Sequence, residues 1–351
     1  NKMWVKNRVL FAKSAYARIR SQGTNWKDDP SWRLPLSDTA RDIALGHLKE
    51  FIGSKKKLVV ITGAGCSTAS GIPDYRGPQG SYKTGHQPMT HQDFMDKENK
   101  RKRYWARSLI GWKDMKKAEP NRAHKALSLL EKEGIITYII TQNVDGLHQR
   151  AGSKNVLNLH GSINHVRCLV CNHIHDRKDI QKILLNKNQN FTNQIDKKEN
   201  EFLENKDQRP DGDANLSESI DFDSFQLPYC GKCLSSSSSP SSSPSSSTLD
   251  LTGGFLKPDV VFFGDTVPKS TVSIASEAVE ESDGLLVVGS SLEVYSAYRL
   301  LLKTHQLNKP ICILNLGETR PERSNIYPIT KIHLPCDEAL WDIVQHMGLV
   351  E

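Results

Sequence analysis

Five short apolar runs punctuate the chain, and each ends in a polar or glycine-rich cluster. Leu58–Ile61 runs into Thr62-Gly63-Ala64-Gly65, and Ile135–Ile140 into Thr141-Gln142-Asn143. Val260–Phe263 runs into Gly264-Asp265, Leu285–Val288 into Gly289-Ser290-Ser291, and Ile311–Leu314 into Asn315-Leu316-Gly317. Runs this short, rich in Val and Ile and without alternation, predict parallel strands buried on both faces. Helical stretches lie between them at 39–52, 121–133, 271–281 and 293–306. Strand, loop and helix in repetition predict a doubly wound α/β fold around a parallel sheet. Ligands of such sheets sit beyond the carboxyl ends of the strands, where all five polar clusters are expected.

Two segments break this rhythm. Residues 77–118 are polar and aromatic, with a helix predicted over Arg101–Ile110. Residues 166–250 are bounded by cysteines and mostly polar. Together they read as insertions forming a smaller second domain. Within the latter, 178–227 is a long polar insert with helical periodicity near Ile180–Leu185. Ser235–Ser247 holds eleven Ser and two Pro, a low-complexity loop with nothing to bury.

At the start of the chain Val5, Val9, Ala12, Tyr16 and Ile19 share one helical face. Trp26 to Pro35 reads as an extended linker. The expected layout is a leader and linker over 1–35 and a folded body over 36–351. Charge sharpens this division. Lys plus Arg is 47 and Asp plus Glu is 40, a balance of +7. Seven of the bases lie in residues 1–27, which contain no acid, so the remainder holds 40 of each sign. A neutral body argues against binding a polyanion. The basic, acid-free, amphipathic start has the composition of a mitochondrial transit peptide. A basic surface helix or tail is the alternative. The apolar runs fall far short of the ~18 residues of a membrane span.

Four of the seven cysteines form two C-x-x-C pairs, Cys168/Cys171 and Cys230/Cys233. Two such pairs make a tetrahedral four-sulfur site with no exchangeable position, which predicts one structural zinc ion. The 58 residues between Cys171 and Cys230 must loop out from that module. From Cys168 to Cys233 there are nine basic and twelve acidic residues, which argues against a nucleic-acid-binding ribbon.

Gly63-Ala64-Gly65 follows a strand and suits close approach to a pyrophosphate, with the next helix N-terminus facing its charge. The third glycine of a dehydrogenase fingerprint is absent, because Thr68 stands there, and no acidic residue closes a second strand. Nucleotide binding survives while hydride transfer becomes doubtful. His160 follows the polar end Gln142-Asn143-Val144-Asp145 and is a candidate general base, although by itself such a residue is more often an ordinary polar histidine.

The ordered set of motifs resembles the sirtuins over about residues 40–345. It comprises Gly63-Ala64-Gly65-Cys66-Ser67, Gly71-Ile72-Pro73-Asp74-Tyr75-Arg76, Gln142-Asn143-Val144-Asp145, His160-Gly161, the two cysteine pairs, Val261-Phe262-Phe263-Gly264 and Gly289-Ser290-Ser291. The sub-pattern is similar to the sirtuin-4 type (class II), on Arg103-Tyr104-Trp105-Ala106-Arg107, Pro210-Asp211-Gly212-Asp213 and Gly264-Asp265-Thr266-Val267. Cys66 departs from the aliphatic residue common in the family and reads as a small buried hydrophobe, with oxidation as the alternative.

The resemblance implies a Rossmann-like sirtuin fold with a smaller zinc-binding and helical domain, and NAD as a consumed co-substrate. It places Gly63, Ala64, Gly65, Asp74, Tyr75 and Arg76 along an NAD loop. It sets Gln142, Asn143 and Asp145 on nicotinamide and its ribose, and Gly289, Ser290 and Ser291 on phosphate and ribose. Asn315 and Gly317 fall to the adenosine ribose, and Cys336 to adenine through its backbone. Val261, Phe262, Phe263 and Gly264 pair with the substrate backbone and flank the acyl-lysine. In the implied mechanism nicotinamide leaves, the acyl oxygen attacks the ribose, and His160 deprotonates a ribose hydroxyl. The products are lysine, nicotinamide and O-acyl-ADP-ribose. The implied activity is NAD-dependent protein-lysine deacylase in the mitochondrial matrix, with acylated protein lysines as partners. Protein mono-ADP-ribosyltransferase and an NAD-sensing protein without turnover are the alternatives.

Overall fold

The computed structural model describes residues 37–77, 80–85, 87–197, 209–214, 216, 220–236 and 254–350. The chain divides into two compact units, Asn1–Asp42 and Ile43–Glu351. Only 37–42 of the first are described, and the architecture belongs to the second. The helix expected over Val5–Ile19, the linker Trp26–Pro35 and the serine tract beyond Ser236 lie outside the described residues.

In chain order the strands are β1 (Leu58–Thr62), β2 (Ile136–Thr141), β3 (Val156–Asn158), β4 (Gly161–Cys168), β5 (Ile174–Asp176), β6 (Leu256–Val260), β7 (Gly284–Val288), β8 (Ile311–Leu314) and β9 (Thr330–Ile332). Six of them form one sheet in the order β3-β2-β1-β7-β8-β9, every pair parallel. Successive side chains point to opposite faces. Leu58, Val60, Leu286, Val288, Cys312 and Leu314 pack with Leu48, Phe51 and Ile52 and with the helices Arg122–Lys132 and Cys336–His346. Val59, Ile61, Leu285, Val287, Ile311 and Ile313 pack on the other face with the helices Lys269–Glu281 and Tyr295–Gln306. Both faces are covered, so β1 and β7 are buried at every position and their sequences show no alternation. The chain leaves β1 toward β2 and returns on the other side of β1 at β7. That reversal of strand order opens a crevice beyond the carboxyl ends of β1 and β7.

The second sheet is antiparallel, in the order β5-β4-β6. This corrects the expectation of a parallel strand over Val260–Phe263. The strand ends at Val260, opposite Gly161, and the following residues leave the ladder before Gly264 turns the chain at φ +87°. A four-residue apolar run does not encode which sheet it joins or in which direction. Four of the five polar clusters therefore end strands of the large sheet, and the fifth lies beside the small one.

The helix expected at Arg101–Ile110 extends over Glu98–Lys117, since its charged ends stay helical in solvent. It packs on the small sheet, where Trp105 Nε1 donates to Leu256 O at 3.2 Å. The insert also differs from its polar average. Ile180 and Leu184, then Phe191 and Ile195, are buried at i, i+4 spacing on the helices Arg177–Lys187 and Gln189–Lys197. Leu216, Ile220, Phe222, Phe225 and Leu227 join the same small-domain core.

Candidate active site

The glycine loop is built by backbone contact. Gly63 N donates to Val288 O at 3.1 Å, and Gly65 N to Gly289 O at 2.9 Å. A Cβ on Gly65 would meet Gly289 O at 2.8 Å, and one on Gly289, at φ +59°, would meet Cys66 N at 2.3 Å. The two strand-end loops thus fit only because both lack side chains there. The loop continues as two 3₁₀ turns, Ala64–Cys66 and Thr68–Ser70, rather than the α-helix expected to face a pyrophosphate. Its short turns leave amide groups without a full helical ladder. Downstream, Gly77 N donates to Asp74 Oδ1 at 2.8 Å, and the Arg76 guanidinium lies 5.0 Å from the Tyr82 ring centre. Burial raises the Asp74 carboxyl above its ordinary range and raises the Tyr75 phenol strongly.

A connected polar group fills the crevice between β1, β2 and β7. Gln142 Nε2 donates to Ser290 Oγ at 2.8 Å and to Thr62 O at 3.2 Å. Asn143 Nδ2 reaches Gly63 O and Ser67 Oγ, both at 3.0 Å. Ser67 Oγ donates to Asp145 Oδ2 at 2.8 Å, and Leu147 N donates to Asp145 Oδ1 at 2.9 Å. Burial raises the Asp145 carboxyl, opposed by these two hydrogen bonds. Ser290 Oγ also accepts from Leu292 N at 3.1 Å.

His160 stands at the edge of this group. Its Nδ1 lies 3.2 Å from Gln142 O, an atom that only accepts, so Nδ1 carries the proton. Nε2 is left as the basic nitrogen, 2.7 Å from Ser296 Oγ. Burial lowers the ring to about 4, the Gln142 carbonyl acting in the opposite direction, so the imidazole is neutral at pH 7. Ser296, at the start of the helix Tyr295–Gln306, is not among the residues the sequence marks, because four residues separate it from Ser291 and no motif surrounds it.

The main chain links His160 to the apolar segment after β6. Val261 N donates to His160 O at 2.9 Å, and His91 N to Phe263 O at 2.8 Å. Phe262 N donates to Asp265 Oδ2 at 3.0 Å, and Asp265 N returns a bond to Phe262 O at 2.9 Å. The buried Phe262 ring packs 5.2 Å from Tyr104 and 5.3 Å from Phe94, while the Phe263 side chain is exposed. Next to Ser296 lies a cavity of about 410 Å³, lined in part by Asp265, Val267, Tyr295 and Arg299.

Asn315, Gly317 and Cys336 come from the other end of the chain. Asn315 Nδ2 donates to Gly317 O at 3.0 Å, and Cys336 Sγ lies 3.5 Å from Gly65 O. The tertiary fold therefore brings Cys336 directly to the glycine loop, while Asn315 and Gly317 follow β8.

A model of the Sir2 family matches residues 63–296. The chain belongs to the Sir2 family. It is 41% identical over 300 residues to an "NAD-dependent protein deacetylase" of Bordetella bronchiseptica, covering 86% of this chain and 97% of that protein. It is 41% identical over 278 residues to "NAD-dependent protein deacylase Sirt4" of Drosophila melanogaster, covering 79% of this chain and 80% of the relative. Among solved structures, "Sir2-p53 peptide-NAD+" superposes with a TM-score of 0.61 at 28% identity, covering 87% of this chain and 99% of that one.

This Sir2 chain also carries the four-sulfur centre. Cys168 ends β4, Cys171 follows on a turn, and Cys230 and Cys233 flank the start of the helix Gly231–Ser236. All four Sγ atoms lie within 4.8 Å of one another. Cys168 Sγ is 3.6 Å from Cys233 Sγ, and Cys171 Sγ is 3.8 Å from Cys230 Sγ. A tetrahedron with ~2.3 Å zinc–sulfur arms has edges of ~3.8 Å, so the set fits zinc. Val170 N and Cys171 N both approach Cys168 Sγ at 3.4 Å, the donation a thiolate needs.

Proposed function

We propose that this Sir2 protein is an NAD-dependent protein-lysine deacylase that converts acyl-lysine and NAD to lysine, nicotinamide and O-acyl-ADP-ribose. One observation carries the reading: a neutral His160 with Nδ1 committed to Gln142 and Nε2 basic, joined through its backbone to Val261. NAD, when bound, supplies the electrophilic ribose carbon and the nicotinamide leaving group. The close backbone contact of Gly65 with Gly289 fixes the glycine loop that would face NAD.

Gly63, Ala64, Gly65, Asp74, Tyr75 and Arg76 line the NAD loop in this reading. Gln142, Asn143 and Asp145 hold the nicotinamide amide and ribose, and their mutual hydrogen bonds fix them beforehand. Gly289, Ser290 and Ser291 take phosphate and ribose, Asn315 and Gly317 the adenosine ribose, and Cys336 the adenine. His160 Nε2 accepts a proton from a ribose hydroxyl, with Ser296 orienting the ring. Val261, Phe262, Phe263 and Gly264 take the substrate strand, held from behind by Asp265 and His91. Cys168, Cys171, Cys230 and Cys233 hold one structural zinc that closes the small domain and takes no part in the reaction.

The catalytic body is assigned to 36–351, with 77–118 and 166–250 inserted, and its neutral charge disfavours nucleic acid as a partner. Residues 1–35 are assigned as a transit segment for the mitochondrial matrix, on the seven bases and no acids of residues 1–27. Among the described residues no helix is long and apolar enough to cross a membrane. Import into isolated mitochondria with loss of this segment is the expected result, and import independent of residues 1–35 overturns it.

The deciding experiment is incubation with NAD and a panel of acyl-lysine peptides, read by mass spectrometry. O-acyl-ADP-ribose from at least one acyl group is expected. Label from NAD fixed covalently to protein, with no acyl turnover across the panel, overturns the deacylase reading.

A further inference from the structure

Beneath the glycine loop lies a second group of metal-binding side chains, unused by the proposed chemistry. Cys66 Sγ and one ring nitrogen each of His124 and His148 lie within 4.8 Å of one another, and all three residues are buried. The ring centres of the two histidines are 4.7 Å apart.

Outer partners fix both tautomers. Asn121 Nδ2 donates to Cys66 O at 2.8 Å, so its Oδ1 is the amide oxygen, and it faces His124 Nδ1 at 3.0 Å. That oxygen only accepts, so His124 carries its proton on Nδ1 and leaves a lone pair on Nε2. Thr62 Oγ1 donates to Thr141 Oγ1 at 2.8 Å and therefore accepts from His148 Nε2 at 2.9 Å. His148 Nδ1 is left with a lone pair, and it is buried without a hydrogen-bond partner among the described residues. An imidazole whose outer N–H is held by an oxygen, with the inner nitrogen bare, is arranged as a metal ligand.

We propose that Cys66, His124 and His148 form a second metal site, distinct from the four-cysteine centre, for a thiophilic closed-shell cation, zinc, and that filling it suppresses use of NAD. A thiolate and two imidazoles suit such an ion. Three protein ligands leave the fourth position of a tetrahedral zinc to water, and Ser67 Oγ stands 3.5 Å from His124 Nε2 beside the group. Binding replaces the Cys66 S–H bond with a sulfur–zinc bond and releases one proton to solvent. Ligand atoms around zinc stand ~3.3–3.8 Å apart, so a group spread over as much as 4.8 Å contracts by up to ~1.5 Å. Contraction draws Cys66 and Ser67 inward, and Ser67 is the residue that holds Asn143 and Asp145. The inhibitory half of the proposal rests on the NAD site described above; the binding half does not.

The test is equilibrium dialysis of the full chain, in its one-zinc form and under a non-chelating reductant, against micromolar zinc. Metal analysis is expected to find two ions per chain in the parent and one in Cys66→Ala. Thr62→Val, which removes the outer partner of His148 together with the bond to Thr141 and leaves the three ligands in place, is expected to weaken the second ion by about 10-fold or more. Cobalt in place of zinc is expected to give a thiolate charge-transfer band that Cys66→Ala lacks. Nicotinamide release, taken relative to each protein's own zinc-free rate, is expected to fall with added zinc in the parent and to resist it in Cys66→Ala. A single ion in the parent, or a second ion indifferent to Cys66→Ala, overturns the site. A second ion bound through Cys66 with nicotinamide release unaffected overturns the inhibitory role.

Discussion

The crevice at the large sheet and the four-cysteine module solve different problems with different atoms. At the crevice, Gly65 and Gly289 let two loops touch backbone to backbone, and Gln142, Asn143, Ser67 and Asp145 bind one another before any ligand arrives. Its order comes from the hydrogen bonds of a buried parallel sheet. At the module, a three-stranded sheet is joined by sulfur atoms drawn from either side of a long insert. Its order depends on an ion. The contrast teaches that polar groups can be preorganised for chemistry where a large core already holds the backbone. Where the core is smaller, metal ligation supplies what burial lacks.

The largest effect that tests this contrast is expected at His160, the proposed base. His160→Tyr is expected to lower steady-state formation of O-acyl-ADP-ribose by ~10²–10⁴-fold with the melting temperature nearly unchanged. A variant that unfolds, or one with full activity, breaks the division between chemistry and scaffold. Cys230→Ser is expected to remove the structural ion and to abolish hydrogen-exchange protection in β4 and β6 while β1, β2 and β7 keep theirs. Collapse of both sheets together would show that the two regions are one cooperative unit.

Gly289→Ala sharpens the comparison from the other side. Its Cβ would meet Cys66 N at 2.3 Å in a left-handed conformation, so a loss of ~1–3 kcal/mol is expected in denaturant unfolding. Ser296→Ala is expected to reduce kcat by ~10-fold or less with KM for NAD little changed, since the hydroxyl positions the ring rather than reacting. The smallest effect is on pH. Burial holds His160 near 4, so its neutral, basic form persists as pH falls through 6.5 and is lost only on approach to 4. The acid limb of kcat/KM assigned to His160 is therefore expected near 4. A limb at the ordinary imidazole value, absent in the His160 variant, shows the ring to be hydrated.

Much of the large sheet was legible before any coordinates, because strands buried on both faces leave unbroken apolar runs such as Leu285–Val288. The short edge strands Val156–Asn158 and Thr330–Ile332 left no such trace, since three residues beside a sheet edge need little apolar surface. The cysteine pairs were equally plain, as metal spacing is local within each turn. Val260–Phe263 does not form the expected parallel strand, and within it Phe262 is apolar because it packs on Phe94 and Tyr104, from a helical region far away in the chain. Ser296 and the His124–His148 pair were invisible for the same reason: no local pattern marks a polar residue whose partner comes from another strand end.

By itself the sequence determined the parallel core, the two cysteine pairs and the glycine loop, which follow from periodicity and near-neighbour spacing, while His160 stands out only within the ordered set of motifs that resembles the sirtuins. Only the tertiary structure decided which nitrogen of His160 is basic, which hydroxyl faces it, and that Cys66 meets two histidines beneath the loop. Those properties depend on contacts between segments distant in the chain, and burial between them sets protonation and tautomer in a way no local pattern encodes.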